Sequence, residues 1–109
     1  FQCGVFEVSD GTIWFNGFIS YSYKDGLWQT HSIRNWTQGF SQTRDGRIWA
    51  YGDAGVDLYD GENWIDAQAP DLGNRIWAFH ESRDGKYWLA GTKGTAYYDG
   101  IKWNKVSEI

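Results

Sequence analysis

Short runs of Trp, Tyr, Phe, Ile and Val alternate along this chain with glycine-bearing turns, and no run carries the spacing of an amphipathic helix. The last third shows the pattern most plainly. Residues 75–82 read as a strand, Asp84-Gly85 as a turn, 86–91 as a second strand and 92–94 as a tight turn. Residues 95–98 follow as a third strand, Asp99-Gly100 as a turn and 102–106 as a fourth. Aromatic and β-branched side chains suit a pleated, half-buried surface. Asp-Gly between apolar runs is a strong hairpin signal, because a two-residue type I′ turn needs positive φ at both central residues. The segments around Ile13-Trp14-Phe15, Ile48-Trp49-Ala50 and Tyr87-Trp88-Leu89 lack clean alternation, as strands covered on both faces do. The one proline, Pro70, falls in the longest connection, residues 66–74.

The same unit is written three times. Asp10-Gly11, Asp45-Gly46 and Asp84-Gly85 are each followed, fifteen residues on, by Asp25-Gly26, Asp60-Gly61 and Asp99-Gly100. Trp14, Trp49 and Trp88 stand four residues after the first Asp, and Trp28, Trp64 and Trp103 three or four after the second. Copies of 35 and 39 residues, four strands each, predict an all-β fold of β-propeller type with three four-stranded antiparallel blades. The blades span about 1–35, 36–74 and 75–109.

Composition narrows the function classes. A net charge of −4 with scattered Lys and Arg argues against a nucleic-acid partner, which needs a clustered basic face. No apolar run is long enough to insert this segment in a membrane as a helix. Cys3 is the single cysteine and reads as a small core residue, with no internal disulfide. The chain opens on Phe1, which reads as a processed product or a piece of something longer.

The pattern Asp-Gly-x-Ile/Tyr-Trp followed by Tyr-Asp-Gly and Trp resembles the two-component regulator propeller repeat. Asp45-Gly46-Arg47-Ile48-Trp49 with Tyr59-Asp60-Gly61 and Trp64 carries it, as does Asp84-Gly85-Lys86-Tyr87-Trp88 with Tyr98-Asp99-Gly100. The first copy departs from it, with Lys24 before its second Asp-Gly. The resemblance implies an extracytoplasmic sensor region, periplasmic or extracellular, of a bacterial signalling protein. It carries over no catalytic set and no cofactor.

In a blade of this kind both Asp-Gly turns lie at one end. Binding is then expected at the other end, where the copies differ and variable loops sit on a rigid scaffold. Arg34, Asn35, Trp36, Asn74, Arg75 and Trp77 are the candidate ligand contacts there, with Trp36 and Trp77 opening the innermost strands. Stacking on Trp with Arg and Asn hydrogen bonds suits a carbohydrate or other small polar ligand. No nucleophile and base are spaced for catalysis, and no metal site is expected. Asp53, Asp57, Asp60 and Glu62 read as turn acids rather than calcium ligands. The leading expectation is a non-catalytic sensing module. A propeller lyase, for which His31, His80 and Glu81 would have to serve, and a protein-binding scaffold are the alternatives. Propellers close with roughly four to eight blades, so three leave two bare faces, with Trp14 and Phe15 at one end and Trp88 and Tyr97 at the other. A homodimer completing a six-bladed ring is expected, or else further blades in a longer chain.

Overall fold

The structure is a computed structural model that describes residues 4–16, 20–33 and 37–106; Cys3, Arg34, Asn35 and Trp36 lie outside them. Twelve strands and no helix are formed among the described residues. The first sheet is β1 (Gly4–Glu7), β2 (Ile13–Asn16), β3 (Ser20–Lys24) and β4 (Leu27–His31). The second is β5 (Thr37–Gln42), β6 (Ile48–Gly52), β7 (Gly55–Tyr59) and β8 (Trp64–Asp66). The third is β9 (Ile76–Glu81), β10 (Tyr87–Gly91), β11 (Gly94–Tyr98) and β12 (Trp103–Lys105). Each is an antiparallel meander in chain order, here called a blade.

The first hairpin of every blade is a three-residue loop rather than the two-residue turn that Asp-Gly suggests. Gly11, Gly46 and Gly85 donate N–H to the carbonyls of Val8, Thr43 and Ser82, and the same three residues donate to the carbonyls of Thr12, Arg47 and Lys86. Only the glycine has positive φ, near 90°. The reason is the carboxylate. Asp10, Asp45 and Asp84 each accept the backbone N–H two residues on, which fixes the turn with Asp on the right-handed side. In the second hairpins Asp60 and Asp99 use the same device, each accepting two N–H groups from the loop that follows. Asp25-Gly26 alone has positive φ at both residues, 52° and 82°, as a type I′ turn requires. This explains the irregular first copy. Tyr23 pairs with Trp28 as Tyr59 does with Trp64 and Tyr98 with Trp103, over equal loops. Asp-Gly is displaced by one residue within the loop, and Tyr23, not Lys24, takes the repeat's Tyr position.

A hydroxyl joins the first turn to the repeat's Trp. Thr43 Oγ1 accepts the Trp49 indole N–H at 3.1 Å and donates to Asp45 at 2.6 Å. Ser82 does the same for Trp88 and Asp84, at 3.0 and 2.5 Å. In the first blade Val8 holds that position, and the buried Trp14 Nε1 has no partner among the described residues.

The blades have no cores of their own; the core lies between them. Trp14, 1% exposed, crosses from the first blade into the second, against Phe40, Tyr59 and Trp64 at ring separations of 5.0–5.7 Å. Trp49, 3% exposed, crosses from the second into the third, against Phe79 and Tyr87 at 5.4 and 5.3 Å. Strand β6 is therefore buried on both faces at Trp49 and Ala50, while β2 and β10 are covered on one. Trp14 does not belong to a bare end face; Phe15 does, on the opposite side of β2 with Val5 and Tyr21.

Val8→Thr supplies the missing hydroxyl without changing shape. It is expected to raise stability by about 1 kcal/mol, read as a higher urea midpoint at unchanged slope. A lowered midpoint, as for an unsatisfied buried hydroxyl, contradicts the assignment.

Candidate functional site

The crossover between β8 and β9 shapes the surface at the end opposite the Asp-Gly hairpins. Two aspartates fold it: Asp66 accepts the N–H of Gln68, which has φ 58°, and Asp71 accepts that of Gly73, which has φ 106°. Leu72, fully buried, plugs the core between the second and third blades. Its carbonyl accepts the Lys93 N–H, and the Arg75 carbonyl accepts the Thr92 N–H. The fit leaves no room at Gly91, where an added Cβ would lie 2.5 Å from the Leu72 carbonyl oxygen.

Of the six candidate residues, Arg34, Asn35 and Trp36 lie outside the described residues. Asn74 is tied into the scaffold: its N–H donates to Thr92 Oγ1, which donates to Asn74 Oδ1, both at 3.1 Å. Arg75 and Trp77 form one exposed unit, the guanidinium 5.3 Å from the indole centre. Trp77 is 49% exposed because of a β-bulge. Ala78 pairs with Ala90 and Ile76 with Gly91, and Trp77 is the extra residue between them. A bulge of this kind re-aims a side chain that regular pleating would tuck away.

Two hollows border the crossover. A shallow one of about 240 Å³ lies between Asp53–Gly55, the β6–β7 turn, and residues 69–73, reaching Ile76. A wider groove of about 500 Å³ opens at the outer rim, between Ala67, Gln68 and Pro70 on one side and Tyr98, Lys102 and Trp103 on the other. The Trp103 indole N–H donates to the Ala67 carbonyl at 3.1 Å and fixes its floor. Sequence reasoning missed this groove; its walls are strand-edge aromatics from one blade and a loop from another.

Ser22 and His31 are also brought together unannounced by spacing, Oγ to Nε2 at 2.7 Å. A serine on a histidine is the arrangement of an activated nucleophile. Here Ser22 is buried in the joint between the first two blades, and the His31 ring lies 4.4 Å from that of Trp14 and 5.8 Å from that of Tyr59. With Ser22 buried, the pair serves as a polar link beside the joint. His80 is exposed opposite Trp88 on β9, and Glu81 is held by Arg44 at 3.3 Å. The three residues required by a lyase therefore stand in different places, and no group of three or more metal-ligating side chains occurs among the described residues.

Comparison with protein families, curated proteins and solved structures gives no match for the chain.

Burial lowers the His31 pKa from its ordinary 6.5, so the unfolded chain takes up that proton first. The contribution of the neutral ring is whole above 6.5 and is lost as pH falls from 6.5 toward the folded value. The turn aspartates act lower. The Ser82 hydroxyl, then Lys86, hold Asp84 well below the ordinary 3.8; loop N–H groups lower Asp60 and Asp99 from the same value, and the contribution of all three is lost only as pH falls below 3.8. The melting temperature should therefore decline as pH falls below 6.5, and His31→Gln should flatten that segment while leaving the loss in stronger acid. An unchanged slope in the variant contradicts the assignment.

Proposed function

We propose that this chain is a non-catalytic ligand-binding module of β-propeller type, acting as an extracytoplasmic sensor segment. The four-stranded blades, with cores that lie between neighbours, support the propeller reading. The resemblance of its repeats to the two-component regulator propeller supports the sensing role and a periplasmic or extracellular location.

One observation carries the binding site: an exposed guanidinium held over an exposed indole at Arg75 and Trp77. An indole face stacks on a sugar ring or other flat polar molecule. A guanidinium recognises carboxylate with two parallel hydrogen bonds. The pair suits a small polar ligand with an acidic group, of which a sugar acid is the simplest kind. With a net charge of −4 the chain as a whole does not attract anions, so recognition is local to Arg75. Arg34, Asn35 and Trp36 are proposed as the corresponding contacts one blade earlier. The lyase reading has less support, since His31 is hydrogen-bonded to Ser22 and Glu81 is engaged by Arg44.

Thermal unfolding against neutral sugars, sugar acids, oligopeptides and divalent metal ions tests this reading. A sugar acid is expected to raise the melting temperature, by about ten degrees at a hundredfold excess over its dissociation constant, and Arg75→Ala and Trp77→Ala should each abolish the rise. A rise that survives both variants places the site elsewhere. A response to metal ions alone favours the lyase.

A further inference from the structure

We propose that a second copy of this chain closes on the first head to tail. The Trp88 face of each third blade seats on the Val5–Trp28 face of the other copy's first blade, and the two arcs form one ring of six blades. The basis is that the two bare faces of the arc are the two halves of a joint the chain already makes twice.

Strand register sets the correspondence. Val5, Phe40 and Phe79 occupy one position, each three residues before the end of the first turn's leading strand at Val8, Thr43 and Ser82. Trp14 packs on Phe40 and Trp49 on Phe79. Trp88 is the next in that series, 37% exposed, and Val5 is the surface it would meet, 70% exposed. The rest of the receiving face follows. Trp28, 64% exposed, stands where Trp64 and Trp103 stand, and Tyr23 where Tyr59 and Tyr98 stand.

A polar contact repeats as well. In the first joint the Ser9 N–H donates to Gln42 Oε1 at 2.9 Å. In the second, Arg44 at the equivalent place donates its N–H to Glu81 Oε1 at 2.7 Å, with its guanidinium 3.3 Å from the same carboxylate. The third members of these two series are Arg83 on the third blade and Glu7 on the first. Both are exposed, and neither has an ion-pair partner among the described residues. The end faces thus match in shape class and in charge. Each copy uses each face once, so growth stops at a closed pair and builds no fibre.

The test is solution mass by light scattering over a range of concentration. The expected mass is that of two 12.6 kDa chains. Val5→Glu and Trp88→Glu should each yield single chains, and mixing the two variants should restore a pair through the one joint that remains intact. Arg83→Glu or Glu7→Arg should weaken association about threefold to tenfold, and the two together in one chain should restore it. Val5 and Glu7 are exposed in the single chain, so these variants report on the joint even if Trp88→Glu fails to fold. A wild-type chain that stays single at all concentrations overturns the proposal. So does a pair insensitive to Val5→Glu, which would mean like faces in contact. Open-ended assemblies, or a double charge reversal that does not rescue, overturn it equally.

Discussion

A tryptophan delivered from the second strand of one blade into the face of the next is the contact on which the rest depends. A four-stranded meander of this length has no interior. Its Trp and Tyr side chains bury area only when another sheet lies across them. Trp14 and Trp49 do this at the two internal joints, and each packs on the same first-strand position of the following blade, Phe40 and Phe79. The hairpin turns serve that contact. In the second blade, Asp45 shapes the loop and orients Thr43, and Thr43 holds the Trp49 indole at its one polar atom, so the ring enters the joint with its N–H satisfied.

Among the described residues the joint of the second and third blades and that of the first and second are made differently. Between the former lie Leu72 from the crossover, the Arg44–Glu81 ion pair and a hydrogen bond from the Tyr87 hydroxyl to Asp45. Between the latter, Ser9 and Gln42 replace the ion pair, the Trp14 N–H lacks its hydroxyl, and Asn16, Ser22 and His31 bring polar groups into the joint. Sensitivity to mild acid is accordingly concentrated at one end of the arc. The crossover that sends Leu72 into the second joint also carries the Arg75–Trp77 unit.

Much of this was legible in the sequence, because a strand-turn-strand repeat leaves its mark in local chemistry. The positions of the third blade's strands and the register of its Trp follow from Asp-Gly spacing. What stayed hidden depends on contacts across space. The type of turn was misread because a carboxylate that accepts an N–H two residues on holds Asp out of positive φ. The irregular first copy looked like a lost Tyr and is a turn displaced by one residue. The side of β2 that Trp14 occupies depends on which neighbour follows, and composition does not show that. Val8 could have been read, since Thr43 and Ser82 stand at its place in the other copies. For the site, Arg75 and Trp77 were legible as chemistry; the bulge that exposes Trp77 and the rim groove beside Trp103 were not.

The central claim is that stability resides in joints between blades, not within them. Amide hydrogen exchange on Trp49→Phe, followed strand by strand, tests it most directly. That variant thins the joint and removes one indole hydrogen bond on the second blade alone. The account predicts that protection falls together in β6 and β10, on both sides of the joint, because neither sheet holds without the other. Loss confined to the second blade, with β9–β12 as protected as before, would contradict it.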